Sequence, residues 1–528
     1  MRRICSAALL FGIAAVASAQ VAPQEARAIH AFDAARSSPL QLHAFLANMP
    51  KGADLHMHLS GAIYAETFIA DAAADHVCVN PITLSFTKNA GTTGTQPTCA
   101  QGDVPAASAF KDQHLYDALV DSFSLRSFVP TPGTSGHDQF FATFGRFGGL
   151  SSIHTGEWLD EVATRAARQN EQYLEIMDTP SFGTAAKLGY QLGWPEVLSN
   201  PIGAHRDATP DELAHLRDQL LASPDFHANI TAAAKELDDA LTARRQIEHC
   251  DQPNATAACS VQIRFLGQVL RAFPPQQVFA QTLLYFELAS QDPQSVVGIN
   301  YVQPEDAYMA ISEYHRQMLM VDYLHSVYPR VHISLHAGEL ASGLVPPEAL
   351  TFHIREAVDL GHAERIGHGV DVMYERDPKA LLKQLADRHI MIEINLTSND
   401  GILGITGKHH PLPAYRAAHV PVALSTDDEG VSRIDITHEY TRAALEFNLS
   451  YIDLKNMART GLEHSFLAGP SLWKSIDDFT RPVPACATQP TGSETPTPKC
   501  SEFLKSSDKA AQQWELERRF KVFEAQIP

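Results

Sequence analysis

The chain contains 528 residues, of which 45% are hydrophobic, and its 30 glycines and 32 prolines are ordinary numbers for that length. This composition is typical of a globular protein, excludes a disordered chain, and suits either two domains or one large, decorated domain. The formal net charge of −20 argues against nucleic acid or an anionic membrane as a partner, and it is compatible with a small neutral substrate.

Residues 1–19 have the pattern of a secretory signal peptide. Arg2 and Arg3 supply a positive start, an apolar run follows over residues 7–16, and residues 17–19 (Ala-Ser-Ala) are small enough for cleavage. The apolar run is too short to span a bilayer comfortably, and no later segment is long enough either. We therefore expect a secreted or periplasmic protein without a membrane anchor; an uncleaved anchor is the alternative.

The part that follows alternates between strand-like and helical patterns. Residues 20–50 form a short helical lead-in, with apolar residues at roughly helical spacing. Eight β-rich runs come next, near 53–57, 173–177, 278–284, 296–302, 331–336, 365–368, 390–395 and 421–425. Several runs are apolar and carry a polar residue at the end, as strands with functional carboxyl ends do. The alternation predicts an α/β protein with a parallel (β/α)8 barrel rather than a sandwich.

Three stretches interrupt this alternation, and each holds one pair of cysteines. Residues 76–110 predict a disulfide-stapled insertion, residues 200–262 a polar and mostly helical one, and residues 482–502 a proline-rich stretch that fastens a C-terminal extension. The pairs are Cys78 with Cys99, Cys250 with Cys259, and Cys486 with Cys500. An oxidising destination and sequence proximity favour three disulfides, with free buried cysteines as the alternative. The barrel with its insertions is thus expected over 51–475, and the extension over 476–528.

The first motif with metal-binding character is Asp54-Leu55-His56-Met57-His58, on the first predicted strand. Residues two apart on a strand point to the same side, so His56 and His58 can reach one metal ion from the mouth of a barrel. An isolated His-x-His is a weak signal, because surface or core histidines produce it as well.

A second motif, His336-Ala337-Gly338-Glu339, ends the fifth predicted strand. His336 supplies a third imidazole, and Glu339 would lie beside the metal without necessarily binding it. The alternative is a helix N-terminus with an acidic first turn.

Two further motifs follow later strands. In Gly367-His368-Gly369, the histidine lies at a tight strand exit, where a core histidine is the alternative. In Ser425-Thr426-Asp427-Asp428, adjacent carboxylates point differently, so that one can bind a metal while the other accepts a hydrogen bond from substrate; a cap or turn is the alternative. Each motif is ambiguous alone, but four at four strand ends, in this order, indicate a shared site.

With these motifs the chain resembles the adenosine deaminase family of metal-dependent hydrolases, and more closely its secreted, growth-factor-like branch. The similarity extends over roughly residues 50–470, with support from 395–399 (NLTSN) and 410–412 (HPL). Matching positions imply one zinc ion per chain, bound by His56, His58, His336 and Asp427. They also imply that Glu339 donates a proton to purine N1, His368 orients and helps activate a water, Asp428 hydrogen-bonds N7, and the Gly338 backbone approaches the purine.

The implied reaction is hydrolytic removal of the purine 6-amino group as ammonia. Zinc lowers the pKa of a bound water toward ~7, which provides a nucleophile for C6 near neutral pH. The proton-donating glutamate then needs a raised pKa, which burial provides. The other zinc deaminase design, with H-x-E and P-C-x-x-C, is absent from this sequence.

Two departures from the family pattern concern the substrate. Ser60 stands where the family usually has an acidic residue that contacts the ribose 5′-hydroxyl, and a serine makes a weaker hydrogen bond. Gln303 stands where the family usually has a glycine whose N–H reaches purine N3, and its side chain narrows the pocket. Glu305 is expected either to keep a family role near that end or to act as an ordinary cap.

The leading hypothesis is therefore a secreted deaminase of adenosine or 2′-deoxyadenosine, a small-molecule nucleoside being its partner. A second hypothesis keeps the metal but changes the substrate to adenine or a 5′-modified adenosine. A third is a catalytically inactive binding or signalling protein, which the intact motifs disfavour. A phosphotriesterase-like binuclear hydrolase is a weaker alternative, because the fourth predicted strand of this chain has no convincing candidate for the carbamylated lysine of such a site. The secreted branch is often dimeric through a helical extension, so a homodimer is a further hypothesis, although the lead-in here is short.

Overall fold

The structure, a computed structural model, describes residues 23–93, 96–150, 152–194 and 207–528. The signal peptide predicted over residues 1–19 lies outside the described residues, as do residues 200–206 at the start of the second predicted interruption. Over the described ranges, no helix combines the length and the apolar character that a membrane span requires.

Eight parallel strands form one sheet in which each strand pairs with the next along the chain. The strands are β1 (Gly52–His58), β2 (Glu171–Asp178), β3 (Gln262–Leu270), β4 (Val296–Val302), β5 (His332–Ala337), β6 (Arg365–His368), β7 (Met391–Ile394) and β8 (Val422–Leu424). The two ends of the sheet meet where the N–H of Asp427 donates to the His56 carbonyl (2.9 Å) and the N–H of His58 donates to the Asp427 carbonyl (3.0 Å). The predicted (β/α)8 barrel is thereby confirmed.

The third strand is not where the sequence pattern places it. The run 278–284 is part of the helix Pro275–Gln291, and the strand is Gln262–Leu270 instead. All residues from Val278 to Phe286 are buried, so this helix is covered on every side in that stretch. A short, mostly apolar run of this kind does not distinguish a buried helix from a strand. The true strand carries polar residues such as Arg264 and Gln268, which made it look like part of the polar interruption.

Helices cover the outside of the barrel and form most of the additions to it. Their bounds are Pro23–Ala35, Pro39–Asn48, Leu59–Ala62, Ala65–Ala74, Gln113–Ser122, Gly136–Phe147, Thr155–Arg168, Gly183–Leu192, Pro210–Leu221, Pro224–Ile247, Pro275–Gln291, Tyr308–Ser312, Tyr314–Val327, His353–Asp359, Pro378–Asp387, Leu396–Leu403, Leu412–Ala417, Glu429–Ser432, Ile436–Glu446, Tyr451–Glu463, Pro498–Lys505 and Asp508–Gln526. Several begin with a capping serine, threonine or aspartate side chain that accepts a backbone N–H bond, as at Ser450 and Ser507.

The two helices of the lead-in pack against the C-terminal helix. Phe32 and Phe45 of the lead-in contact each other edge-on, with ring centroids 5.7 Å apart, and Phe45 contacts Phe523 at 5.2 Å. Lys455 Nζ donates to Glu524 Oε1 (2.6 Å) and so links the last barrel helix to the same C-terminal helix. The two termini of the described chain therefore cover one side of the barrel together.

All three predicted disulfides are present: Cys78–Cys99, Cys250–Cys259 and Cys486–Cys500. The first fastens an insertion that contains a three-stranded antiparallel sheet (Ser85–Thr87, Cys78–Asn80, Val104–Pro105) and the hairpin Gly91–Thr93 with Gln96–Thr98. The second closes the loop between the helix Pro224–Ile247 and β3, and the third lies after the hairpin Trp473–Ser475 with Asp478–Pro482. Each crosslink restrains a segment that lies outside the barrel strands.

Candidate active site

The four residues assigned as zinc ligands from the resemblance meet at the carboxyl ends of the barrel strands. His58 Nε2 lies 3.2 Å from His336 Nε2 and 3.2 Å from Asp427 Oδ1, and His56 Nε2 lies 3.3 Å from the same carboxylate oxygen. The alternation of side chains along β1 turns both His56 and His58 toward this point. The closure of the barrel between β1 and Asp427 brings the last motif against the first.

The Nδ1 atom of each of the three histidines in this set makes a hydrogen bond to a polar side chain. His56 Nδ1 donates to Glu393 Oε2 (2.6 Å), His58 Nδ1 donates to Gln268 Oε1 (2.8 Å), and His336 Nδ1 donates to Asn300 Oδ1 (2.8 Å). The residues that hold them are, in this order, on β7, β3 and β4. Such partners fix the ring orientation and leave Nε2 as the unprotonated nitrogen, which is how metal-binding histidines are usually supported.

The donor set fits a divalent metal ion. His56 Nε2 is buried and has no hydrogen-bond partner among the described residues, which is costly for a polar atom unless something binds there. Three imidazoles with one carboxylate form a typical zinc site. His368 is also near: one ligand atom each from His56, His336, His368 and Asp427 lies within 4.8 Å of the others.

His368 is fully buried beside these candidate ligands, and the ring nitrogen that faces away from them has a polar partner. Its Nδ1 lies 2.9 Å from Asn399 Oδ1, and its Nε2 lies 3.6 Å from Glu339 Oε1 and 3.8 Å from Asp427 Oδ2. Burial lowers the pKa of His368 to about 4, so the imidazole is neutral near pH 7. A neutral ring that donates from Nδ1 to Asn399 presents Nε2 to the centre as a proton acceptor.

The two remaining acidic residues at the centre favour the protonated form. Burial raises the pKa of Glu339 to about 8, with further contributions from the negative charges of Asp427 and Glu305. Burial, and then the neighbouring Asp427 carboxylate, raises the pKa of Asp428 well above its ordinary value. Glu339 therefore has the direction of shift that a proton donor requires.

Glycines make room for the functional side chains. A Cβ on Gly61 would lie 1.4 Å from Asp428 Oδ1, and one on Gly367 would lie 2.5 Å from His56 Cε1. The Gly-His-Gly motif is thus explained by packing on both sides, because a Cβ on Gly369 would lie 2.5 Å from the Tyr415 hydroxyl oxygen.

We expect Gly367→Ala to displace the His56 ring and to weaken zinc binding by at least about tenfold, a loss of the size seen when a ligand loses its support. Competition with a chelator measures the change. Gly183→Ala is the control, because no atom of the described residues beyond its chain neighbours lies within 4 Å of the added methyl group. Equal zinc affinity in the two variants would show that His56 does not need its present position.

A cavity of about 260 Å³ opens directly over this centre. Its polar lining includes His58, Ser60, His336, Glu339, Asp427 and Asp428. Of the predicted site residues, Gln303 also lines the cavity, whereas His56, Gly338 and His368 do not. The N–H of Gly338 donates to Glu305 Oε1 (3.0 Å), which leaves it engaged within the protein.

One wall of the cavity is aromatic. Phe140, Phe141 and Phe144 come from the helix Gly136–Phe147, and they face the cavity together with Leu270. His137, in the first turn of that helix, lies 2.9 Å through Nε2 from Asp306 Oδ1 and so fastens the helix to the loop after β4. This wall was not predicted from the sequence, since an apolar helical pattern normally indicates core packing.

Gln303 has a left-handed backbone, with φ +83°, which a glycine would adopt without strain. Its side-chain Oε1 accepts a hydrogen bond from the N–H of Ala272 (2.9 Å), so the amide is tied to the end of β3. The residue therefore adopts a backbone conformation that favours glycine, and it adds a fixed side chain to the cavity lining.

Several supporting residues were missed in the sequence. Asn300 and Glu393 are polar residues within apolar strands, and this contrast was the available signal for them. Gln268 went unnoticed because its strand was misplaced. Ser398, whose Oγ donates to Asp427 Oδ2 (2.6 Å), lies in the NLTSN segment that supported the resemblance.

Glu305 is buried below the turn that carries Glu339. Burial alone would raise the pKa of the Glu305 carboxyl group. The charges of Arg271 and His353 and the hydrogen bond from His353 outweigh this effect and lower the pKa to about 2. This carboxylate therefore stabilises the fold fully above the ordinary glutamate value of 4.5, and the stabilisation is lost as the pH falls toward 2.

We expect Glu305→Gln, which resembles the protonated acid at every pH, to lower the free energy of unfolding by on the order of 3 kcal/mol near pH 7. The difference from the wild type should shrink steadily below pH 4.5. Urea unfolding of both proteins at about pH 7 and about pH 3 measures it. A difference that is the same at both values would mean that Glu305 is not preferentially ionised in the folded protein.

Comparisons with known proteins agree with this geometry. The family model described as adenosine deaminase matches residues 157–478. An adenosine deaminase of Escherichia coli (strain SE11) is 41% identical over 138 residues, which is 26% of this chain and 38% of that protein. The chain thus matches well under half of the length of the curated relatives.

Solved structures share the fold at low sequence identity. An amidohydrolase from Burkholderia ambifaria with bound Zn aligns with 92% of this chain and 94% of its own, at 15% identity and a TM-score of 0.53. A structure of Arabidopsis ADAL complexed with IMP aligns with 80% of this chain and 93% of its own, at 19% identity and a TM-score of 0.50. At such identities these likenesses establish a common barrel fold.

Proposed function

The chain belongs to the adenosine deaminase family, and from this premise we propose that it hydrolyses adenosine or 2′-deoxyadenosine to inosine or deoxyinosine and ammonia. The observation that carries the proposal is the convergence of His56, His58, His336 and Asp427 beside the buried Glu339, next to a cavity that His58, His336, Asp427 and Glu339 line. The Arabidopsis structure complexed with IMP is a precedent for a purine ligand on this fold.

We propose zinc as the metal, one ion per chain, held by the Nε2 atoms of the three histidines and by Asp427. When bound, zinc supplies an activated water near neutral pH. The donor set and the buried, unpartnered His56 Nε2 support this choice, as does the Zn bound by the Burkholderia amidohydrolase.

The residues around the centre divide the proton transfers between them. His368 Nε2, with its ring neutral and its Nδ1 engaged by Asn399, accepts a proton from the attacking water. Glu339 delivers its proton to purine N1, which makes C6 more electrophilic and draws electrons from the ring as the C6–O bond forms. The proton held by His368 then passes to the 6-amino group, which leaves as ammonia when the C6–N bond breaks. The remaining proton of the C6 hydroxyl returns to the Glu339 carboxylate as the C6=O bond of the product forms, which restores the acid.

Asp428 orients the purine. Its Oδ1 is buried and without a hydrogen-bond partner in the described part of the chain, and burial beside the Asp427 carboxylate raises its pKa, which favours the protonated acid. A carboxylic acid donates an O–H bond, which matches the acceptor N7 of a purine, whereas a carboxylate would repel it.

A second candidate substrate is adenine or an adenosine modified at the 5′ position. Ser60 replaces the acidic residue expected near the ribose 5′-hydroxyl, and the aromatic wall of Phe140, Phe141 and Phe144 offers an apolar surface at the same cavity. A substrate that carries a thioether in place of the hydroxyl would leave no polar group unpaired there.

The test is ultraviolet-monitored deamination by the purified protein over adenosine, 2′-deoxyadenosine, 5′-methylthioadenosine, adenine and AMP. Turnover restricted to adenosine and deoxyadenosine supports the first proposal, and preference for adenine or the thioether moves the enzyme to the second. Glu339→Gln, prepared in parallel, reveals any contaminating deaminase. A zinc-loaded protein that turns over none of these would overturn both proposals and favour a binding role.

We further propose that the protein is exported. Disulfides persist in oxidising compartments, and three are present here. Together with the signal-peptide pattern in the first residues, they support a secreted or periplasmic location. Cleavage at the predicted site is tested by N-terminal sequencing of protein recovered from the medium or periplasm of its expression host.

A further inference from the structure

The backbone of the turn that carries Glu339 is bound by a single buried carboxylate. Glu305 Oε1 accepts the N–H of Gly338 (3.0 Å), and Oε2 accepts the N–H of Glu339 (2.7 Å). Glu305 is 1% exposed, so neither N–H group has water as a ready substitute. If the carboxylate were lost, two consecutive buried donors would be left without acceptors, which is unfavourable enough to rearrange a turn.

The carboxylate itself is held on its other side. His353 Nδ1 donates to Glu305 Oε1 (2.5 Å), and the His353 ring stacks on Tyr314 with centroids 3.9 Å apart. Arg271 places Nη2 4.0 Å from Glu305 Oε2, and all of these side chains are buried. A carboxylate that accepts a hydrogen bond from one fixed ring and lies beside a fixed guanidinium charge has little freedom to move.

Arg271 connects this carboxylate to the metal side of the site. Its Nη1 donates to the carbonyl of His336 (3.1 Å), and its Nε donates to the carbonyl of Gln303 (3.1 Å). The strand end that carries one candidate ligand and the turn that carries the proton donor are therefore tied to the same buried ion pair. Gly338, with φ +75°, makes the reversal between them.

We propose that Glu305 is the positioning residue for Glu339: it binds the backbone of the Gly338–Glu339 turn and so aims the Glu339 side chain at the substrate. This inference rests on the proposed deaminase function. Glu305 does not line the cavity and has no contact with the substrate in this scheme. Its effect reaches the reaction only through the place that it gives to Glu339.

The inference predicts a particular kinetic signature. In Glu305→Gln the side-chain oxygen still accepts one of the two backbone N–H groups. The amide NH2 group faces the second N–H, and because two donors cannot pair, the turn shifts. A displacement of about 1 Å at a reacting group costs about 10²-fold in rate, so we expect kcat to fall about 10- to 100-fold. Ground-state binding uses other residues, so KM and the Kd of the product inosine should stay within about twofold.

Glu375→Gln is the matched control. Glu375 is also a buried carboxyl group that accepts two consecutive backbone N–H bonds, from Ile354 (2.7 Å) and Arg355 (3.1 Å), but these open the helix His353–Asp359 and lie outside the turn of Glu339. Its kcat should fall much less than that of Glu305→Gln, because Glu375 reaches Glu305 only through the helix that carries His353. Zinc content and melting temperature are measured for every variant, and the kinetics are recorded well below the lowest melting temperature.

The outcomes separate the inference from the function on which it rests. A wild type that is inert on all purines removes the proposed function. An active wild type with unchanged kcat in Glu305→Gln overturns the positioning role, as does a loss of kcat that is matched by loss of zinc or by an equal loss in Glu375→Gln. A selective loss of kcat with zinc retained supports it.

A second variant keeps the test available if Glu305→Gln does not fold. His353→Phe keeps an aromatic ring against Tyr314 but removes the donor that holds Glu305. We expect a smaller fall in kcat, at least about threefold, with KM again unchanged and zinc retained. An unchanged kcat in this variant would overturn the role of the buried network.

Discussion

We expect the replacement of Glu339 by glutamine to abolish measurable turnover while zinc content stays near stoichiometric. Glutamine has nearly the same shape and no proton to give to N1, and loss of general acid catalysis costs about 10²- to 10⁴-fold in rate. We expect kcat to fall toward the upper end of this range, because Glu339 is buried and its raised pKa keeps the proton in place near neutral pH. Steady-state kinetics and metal analysis on the same sample measure both quantities.

The control for this variant is Glu439→Gln. Glu439 is a fully buried glutamate with a pKa that burial raises to about 7, but it binds the Thr397 side chain and N–H away from the cavity lining. Its substitution should leave kcat within a few-fold of the wild type. Near-normal turnover in Glu339→Gln would contradict the proposed mechanism, since no other acid at the centre has the same position.

We expect the replacement of Asp427 by alanine to remove most of the zinc and, with it, the activity. Asp427 is the only anionic member of the proposed ligand set, and its Oδ1 lies within 3.3 Å of the Nε2 atoms of His56 and His58. We expect zinc content after dialysis to fall below about a tenth of an equivalent, because a three-histidine site lacking the carboxylate is both incomplete and uncompensated in charge. Elemental analysis and activity should fall in parallel.

Two further variants interpret that result. Asp427→Asn keeps the shape and tolerates the left-handed backbone at this position (φ +62°), so it separates loss of charge from backbone strain. Asp178→Asn changes an aspartate at the end of β2 that is not a proposed ligand, and it should retain its zinc. Full zinc retention in Asp427→Ala would show that the ligand assignment is wrong and would point to His368 as the replacement.

The positions of the ligands follow from patterns that are local in the sequence. His56 and His58 are two residues apart on a strand, so they share a face wherever that strand lies. His336 and Asp427 come at or just after the ends of other parallel strands, and such ends gather at one rim of a barrel. Motif order, strand alternation and the resemblance were therefore sufficient to predict which residues meet.

The contacts that hold the ligands in place could not be read in the same way. His56 and its partner Glu393 are 337 residues apart, and His58 and Gln268 are 210 residues apart. Their pairing depends on which strands are neighbours across the barrel interior, and the misplaced third strand removed Gln268 from consideration altogether. Glu305 was noticed, but nothing in its neighbourhood along the chain indicated that it binds the turn of Glu339.

The sequence by itself determined the kind of barrel, because strand-like and helical patterns alternate along the chain. It also determined the candidate metal-binding residues and the three cysteine pairs, because these depend on spacing within short segments. Only the tertiary structure decided where the third strand lies, that Phe140, Phe141 and Phe144 form a wall of the cavity, and that Arg271, Glu305 and His353 act as one buried unit. The physical reason is that a strand end fixes the direction of its own side chains, whereas a hydrogen bond between distant segments exists only after packing has brought both partners out of water.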